Sequence, residues 1–309
     1  MPMHGIPGHR IQGHRIPGQG IIGLGIAGSA ASLLLAVFVL GAVSSSEISL
    51  FGISEARAQP SSGIPNFYPS VDAGWVSLSN DYIPSESGPA PVTFDPTYPY
   101  VGNRQLTPPT FRVADLSHPN VMPWALEAMK APNEGVIAGG MGFTPRSACW
   151  LAGVPAFFLF VREPIFIFQG KDEVAIVYSG DSQIRRIHMN VAHAADLKPS
   201  WYGDSVGHYE GDTLVIDTIG LDTRSYVDNY RTPHSENLHV SERWSMNEAG
   251  DILEVEFTVE DEKTFFEPWT AYMRYGLTSR PMEELPCAEN NRFTEVAGHR
   301  VPTATKFDF

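Results

Sequence analysis

His234-Ser235 and His239-Val240-Ser241-Glu242-Arg243 bring imidazole, hydroxyl, carboxylate and guanidinium groups into one short stretch. Imidazole and carboxyl groups are the side chains best suited to moving protons near neutral pH. Arg185, Arg186 and His188 stand upstream in a second polar stretch, and His193, His208, Glu210 and Asp212 lie between the two. On an extended strand, Val240, Glu242 and Trp244 share one face, and His239, Ser241 and Arg243 share the other. If Val240 and Trp244 face a core, Glu242 does too. A buried carboxyl is driven toward its neutral form unless a cation offsets the loss of water. Arg185 or Arg186 is the expected cation. Arg185 shares a face with Gln183 and Ile187, and Arg186 with Ile184 and His188.

The catalytic reading makes Glu242, Arg185, His234 and His239 an acid/base set, with Arg186, His188 and Arg243 as ligand contacts. The structural reading makes Glu242 and an arginine a buried ion pair that fixes strand register. His234, His239 and Glu242 have the ligand types of a zinc site. Strand geometry puts His239 and Glu242 on opposite faces, so no metal is expected. No Gly-x-Gly-x-x-Gly follows a strand, and no phosphate-binding loop, no Gly-x-Ser-x-Gly set as a strand-to-helix elbow and no His-Glu-x-x-His is found. No cofactor is expected, and neither is a Ser hydrolase of the usual kind.

These side chains must be positioned by strands. Ala156–Val161 and Ile165–Gln169 read as short apolar runs, followed by strands at Val174–Ser179, Gln183–Met189, Thr213–Thr218 and Leu238–Met246. Leu253, Val255, Phe257 and Val259 alternate with Glu254, Glu256, Thr258 and Glu260, and a last strand covers Ala271–Leu277. Short turns without intervening helices imply antiparallel pairing. So many strands curl or close. The expected fold is all-β and mostly antiparallel, a single lipocalin-like β-barrel with a two-sheet β-sandwich as the alternative.

Residues 149–309 are the β-rich domain in this reading. Residues 59–148 are an irregular, Pro-rich segment that wraps over it. That segment contains a possible first strand at Gly74-Trp75-Val76 and a short helix near 121–131, with Asn120 available as a cap. Residues 1–58 read as a signal peptide or membrane anchor. Ile21 to Val43 carries no charge, Arg10 and Arg15 precede it, and Ala56-Arg57-Ala58 offers a cleavage site before Gln59. Cleavage implies a periplasmic or secreted protein; retention implies anchoring to the inner membrane by residues 21–43. The two cysteines, Cys149 and Cys287, both follow this segment and are expected to form one disulfide.

The formal net charge is −14. Residues 59–309 hold 33 of the acidic and 18 of the basic residues. Such a surface repels phosphate backbones, which argues against a nucleic-acid partner. Membrane contact is expected only through the N-terminal segment.

Cys149-Trp150-Leu151-Ala152-Gly153-Val154-Pro155, Gln183-Ile184-Arg185-Arg186-Ile187 and Gly203 to Thr218, with its Glu210-Gly211-Asp212-Thr213-Leu214-Val215 core, form a recognisable series. Pro233-His234-Ser235, Leu238-His239-Val240-Ser241-Glu242-Arg243, Pro268-Trp269-Thr270 and Cys287 to Arg292 continue it. The series resembles a family of exported bacterial proteins, in which Tyr209 is often a Trp. The resemblance implies export and one strand-rich domain, and carries no activity with it. The functional expectation is an exported barrel enclosing a small, largely apolar molecule, with cofactor-free proton chemistry of an isomerase, hydratase or lyase type. A non-catalytic carrier and an envelope protein with a filled core are the alternatives.

Overall fold

The structure is a computed structural model describing residues 63–68, 70, 73–98, 112–138, 144–159, 163–180 and 183–283, with the backbone of 295–296 and 299–300. The side chains of 147 and 148 are not described. Residues 1–62, which carry the export expectation, and Cys287 lie outside the described residues. Among the described residues, no helix is long and apolar enough to cross a membrane.

The strands are β1 (Gly74–Ser77), β2 (Ile83–Pro84), β3 (Ile165–Gln169), β4 (Glu173–Tyr178), β5 (Gln183–Met189) and β6 (Asp204–Glu210). They continue with β7 (Thr213–Ile219), β8 (His239–Met246), β9 (Ile252–Glu260) and β10 (Trp269–Thr278). The sheet order is β1-β3-β4-β5-β6-β7-β8-β9-β10, and β10 pairs back onto β1, so the sheet closes into a barrel. The closing register sets Gly74 opposite Thr278 and Ser77 opposite Tyr275. β2 is an extra strand farther along β10, with Ile83 opposite Tyr272. Closure decides for the barrel over the sandwich. Pairing is antiparallel except at β5–β6, where His188 faces Val206 and Met189 faces Gly207 in parallel. A parallel pair needs a long crossover, and residues 190–203 supply it.

The unit containing the barrel runs from Arg57 to Phe309. The wrapping segment therefore belongs to the barrel's own unit and supplies β1. The period-two pattern fills the interior. Val174, Ile176 and Tyr178 point inward from β4, Leu253, Val255, Phe257 and Val259 from β9, and Trp269, Ala271, Met273 and Tyr275 from β10. One expected run is not a strand: Ala156–Leu159 is a 3-10 turn. It serves as a plug. Phe158 packs against Phe257 at 5.0 Å and Trp244 at 5.8 Å between ring centroids. Burying two adjacent rings at once suits a turn better than an alternating strand.

Helix α1 (Pro123–Ile137) starts with Pro in its first turn and buries Ala125, Met129, Asn133 and Val136 along one face. Met122, not Asn120, stands at its cap position and makes no side-chain cap. Asn120 instead brackets Glu267, donating to its carbonyl at 2.8 Å and accepting from its N–H at 2.9 Å. Asn133 does the same for Ala114, at 2.9 Å each way. The Asn120 contact fastens the wrapping segment over the barrel end where β9 finishes and β10 begins, and the Asn133 contact ties α1 to the strip that precedes it.

Candidate functional site

The strongest sequence expectation is met in the interior. Arg185 and Glu242 are both fully buried and form a two-pronged pair, Nη1 to Oε2 at 2.9 Å and Nη2 to Oε1 at 2.5 Å. Trp244 Nε1 donates to Glu242 Oε2 at 2.9 Å. Arg185 Nη2 also donates to Thr218 Oγ1 at 2.9 Å and to Ser205 Oγ at 3.2 Å. The two hydroxyls are themselves 2.9 Å apart. Both carboxylate oxygens and both terminal guanidinium nitrogens are thus engaged by protein groups. A saturated pair of this kind is a fastening; a bound molecule would have to displace a bond to reach it. Tyr275, fully buried beside the pair, has its hydroxyl pKa raised by burial and by the Glu242 charge.

The remaining expected residues are not gathered around this pair. Arg186 and His188 alternate with buried neighbours on β5 and point outward. Arg186 pairs with Glu173 on the adjacent strand. Arg243 is also outside, paired with Glu210 at 2.9 Å, and His208 meets the same carboxylate at 3.1 Å. Placing Arg186, His188 and Arg243 as contacts to an enclosed molecule therefore fails: strand alternation turns them to the solvent side. His239 lies on the outer face, opposite to Glu242, as its strand position dictates.

His239 belongs to a ladder on the outer wall. Its Nε2 meets Asp217 Oδ2, and its Nδ1 meets Glu260 Oε2 at 2.9 Å. His193, from the β5–β6 crossover, meets Asp217 Oδ1 at 2.8 Å through Nε2 and Asp204 Oδ2 at 2.9 Å through Nδ1. Each imidazole faces a carboxylate on both nitrogens, which suits the doubly protonated ring. Partial burial opposes the charge, but the hydrogen bonds to Asp217, Asp204 and Glu260 outweigh it, so both histidines are raised above the ordinary value. Asp217 is lowered, its own burial being outweighed by His239 and His193.

His234 sits in the β7–β8 connection and is buried. Its Nε2 is 2.8 Å from Ser225 Oγ and its Nδ1 is 2.8 Å from the Ser235 carbonyl. Burial lowers its pKa and favours the neutral ring. The spacing resembles a hydroxyl–base pair, but Ser225 is fully buried. The pair is a clip inside the connection and offers a substrate no approach.

A cavity lies at the capped end of the barrel, away from the expected residues. Its volume is about 130 Å³, and Asp81, Tyr82, Pro91, Val92, Leu159, Asp228 and Tyr230 are among its walls, with Thr93 and Phe94. Four non-periodic segments build it: the link from β1 to β2, the strip near 91–94, the turn that ends at Leu159, and the β7–β8 connection. Tyr82 turns its hydroxyl to the Val227 carbonyl at 2.7 Å. Asp228 is held by neutral donors: the Tyr230 N–H at 2.8 Å, the Thr232 N–H at 3.1 Å and the Thr232 hydroxyl at 2.6 Å. Asp81 Oδ2 accepts from the Tyr230 hydroxyl at 3.1 Å. Burial pushes the Asp81 carboxyl up to about 6; the Tyr230 hydrogen bond and Arg112 pull it down, and the charge of Asp228 adds to the rise. Burial likewise raises Asp228.

Asp81, Asp228 and Tyr230 escape a search for polar clusters on strands, since all three lie in connections. The available signal is an Asp next to a Tyr in Asn80-Asp81-Tyr82 and an Asp two residues before a Tyr in Asp228-Asn229-Tyr230. Among the described residues, no group of three or more His, Cys, Asp or Glu is arranged to hold a metal ion. The expected Cys149–Cys287 bond involves a residue outside the described ones. No protein-family model, no curated protein and no solved structure matches the chain.

Proposed function

We propose that this is an exported small-molecule-binding barrel whose ligand occupies the cavity at the capped end, with Asp81 as the group that exchanges a proton with it. The observation that carries this reading is the contrast between the buried Glu242 carboxyl and the half-buried Asp81 carboxyl. Glu242 is saturated by Arg185 and Trp244, whereas Asp81 holds one side-chain donor, lines a cavity and has its pKa pushed up to about 6. A carboxyl near 6 is populated in both forms around neutral pH and can serve as acid or base. The apolar walls from Tyr82, Val92, Phe94 and Leu159 suit a small, largely apolar molecule. An engineered apolar cavity of about 150 Å³ holds benzene, which sets the scale of the occupant. Export is supported by the charge-free run at 21–43 behind Arg10 and Arg15.

The test is native mass spectrometry of protein purified from its own host, beside Asp81→Asn and His239→Ala. The reading expects a retained molecule that Asp81→Asn loses and His239→Ala keeps. Retention unaffected by Asp81→Asn would move the site elsewhere.

A further inference from the structure

The two carboxyls in the cavity wall have no salt-bridge partner among the described residues. Asp228 is satisfied by a hydroxyl and two backbone N–H groups, and Asp81 by the Tyr230 hydroxyl, all neutral donors. No basic side chain is among the described residues lining the cavity. Two arginines stand behind it. Arg112 acts on Asp81, but less strongly than the charge of Asp228 does. Arg231 acts on Asp228 and spends its Nη2 on the Arg112 carbonyl at 2.6 Å and on Asn133 Oδ1 at 3.3 Å. Among the described lining residues, the charged groups that meet whatever enters are thus the two carboxyls. The rings of Tyr82 and Phe94 add faces that attract cations.

We propose that the cavity takes a small organic monocation, its ammonium group between the carboxyls of Asp81 and Asp228 and its apolar body against Tyr82, Val92, Phe94 and Leu159. This rests on reading the cavity as the binding site. Carboxylates drawn from water without a salt bridge are costly, and a cation that joins them reduces that cost. The cation must find Asp81 ionised. With that group near 6 in the free protein, affinity for a permanently protonated amine rises about tenfold between pH 5 and pH 7.

Cyclohexylamine and its neutral counterpart cyclohexanol are the probes, of nearly equal size and shape. Their binding is measured by calorimetry at pH 5 and pH 7, with methyl NMR signals of Val92 and Leu159 reporting the location. The expected result is that cyclohexylamine perturbs those methyls, binds at least tenfold more tightly than cyclohexanol at pH 7, and weakens about tenfold at pH 5. Asp81→Asn should weaken cyclohexylamine at pH 7 and reduce the pH dependence, leaving only what Asp228 contributes. Leu159→Phe, which fills the space and leaves both carboxyls, should weaken both probes. If cyclohexanol binds at the same methyls as tightly as the amine, the cation is wrong and the cavity stands. If neither probe perturbs Val92 or Leu159 in the folded protein, both the cation and the cavity reading fall.

Discussion

Arg185 on β5 and Glu242 on β8 meet in the barrel interior although two strands, β6 and β7, separate them in the sheet. Those two strands contribute Ser205 and Thr218 to the same network. One polar knot thus ties four consecutive strands. Removing one partner leaves a charge buried and alone, which costs roughly 3–5 kcal/mol. Glu242→Gln should lower unfolding free energy by about that amount. The paired replacement Arg185→Met with Glu242→Leu should cost far less, since no charge is then orphaned. Urea denaturation decides. A single replacement costing less than about 1 kcal/mol would show that the knot contributes little beyond an exposed pair.

The outer ladder predicts a pH dependence with a definite sign. His193 and His239 are raised above the ordinary 6.5, so their stabilising contribution is complete below 6.5 and is lost as pH rises through their folded values. Asp217 is lowered from 3.8, so its contribution is complete above 3.8 and is lost as pH falls through its folded value. The ladder should therefore stabilise most between about pH 4 and 6.5. Proton NMR titration should place both histidines above free imidazole side chains. Melting temperatures of His193→Ala and His239→Ala should approach that of the parent at high pH. An unchanged gap between pH 5 and pH 9 would remove the ladder as the cause.

Gly153 has a φ of +80°, and a Cβ there would lie 2.6 Å from Ser225 Cβ and 2.7 Å from Ser225 Oγ. Gly153→Ala should force the β7–β8 connection outward and separate Ser225 from His234. The expected loss is about 1–3 kcal/mol from overpacking, with backbone strain added. Chemical shifts of the His234 ring should move in the same variant. Unmoved shifts with full stability would mean that the connection yields without cost.

Mature protein should begin near Gln59 and carry a Cys149–Cys287 bond. N-terminal sequencing and non-reducing peptide mapping read out both. Closing so long a loop is worth about 4–5 kcal/mol at most by chain entropy. A soluble protein that retains Met1, with both thiols alkylated after unfolding, would contradict export and the bond together.

The barrel was legible because its strands obey period two. Val240 and Trp244 on either side of Glu242 reveal its burial, and burial demands a cation; Gln183 and Ile187 flank the one that reaches it, Arg185. Alternation also separates His239 from Glu242. It does not show where the outer histidine finds its carboxylates. Those come from β7 and β9, and Asp217 is shared with His193, which sits in a crossover whose path depends on the parallel β5–β6 pairing. The cavity was hidden for a related reason. Its walls come from connections with no periodicity, brought together only when the wrapping segment packs on the barrel end. The Phe157-Phe158 turn lies in an unbroken apolar run, which has no period to tell a turn from a strand.

Closure joins β1 to β10, the first and last strands of the barrel, across nearly the whole described chain. Contacts so distant in sequence are costly to form and set the pace of folding. A chain emerging from its N-terminus holds Trp75 ready long before Leu277, its partner, exists. Until then β1 and β9 are open edges able to recruit strands from other molecules. Any product ending before Trp269 keeps those edges permanently, so truncation from the C-terminal side converts a closed barrel into a seed for aggregation.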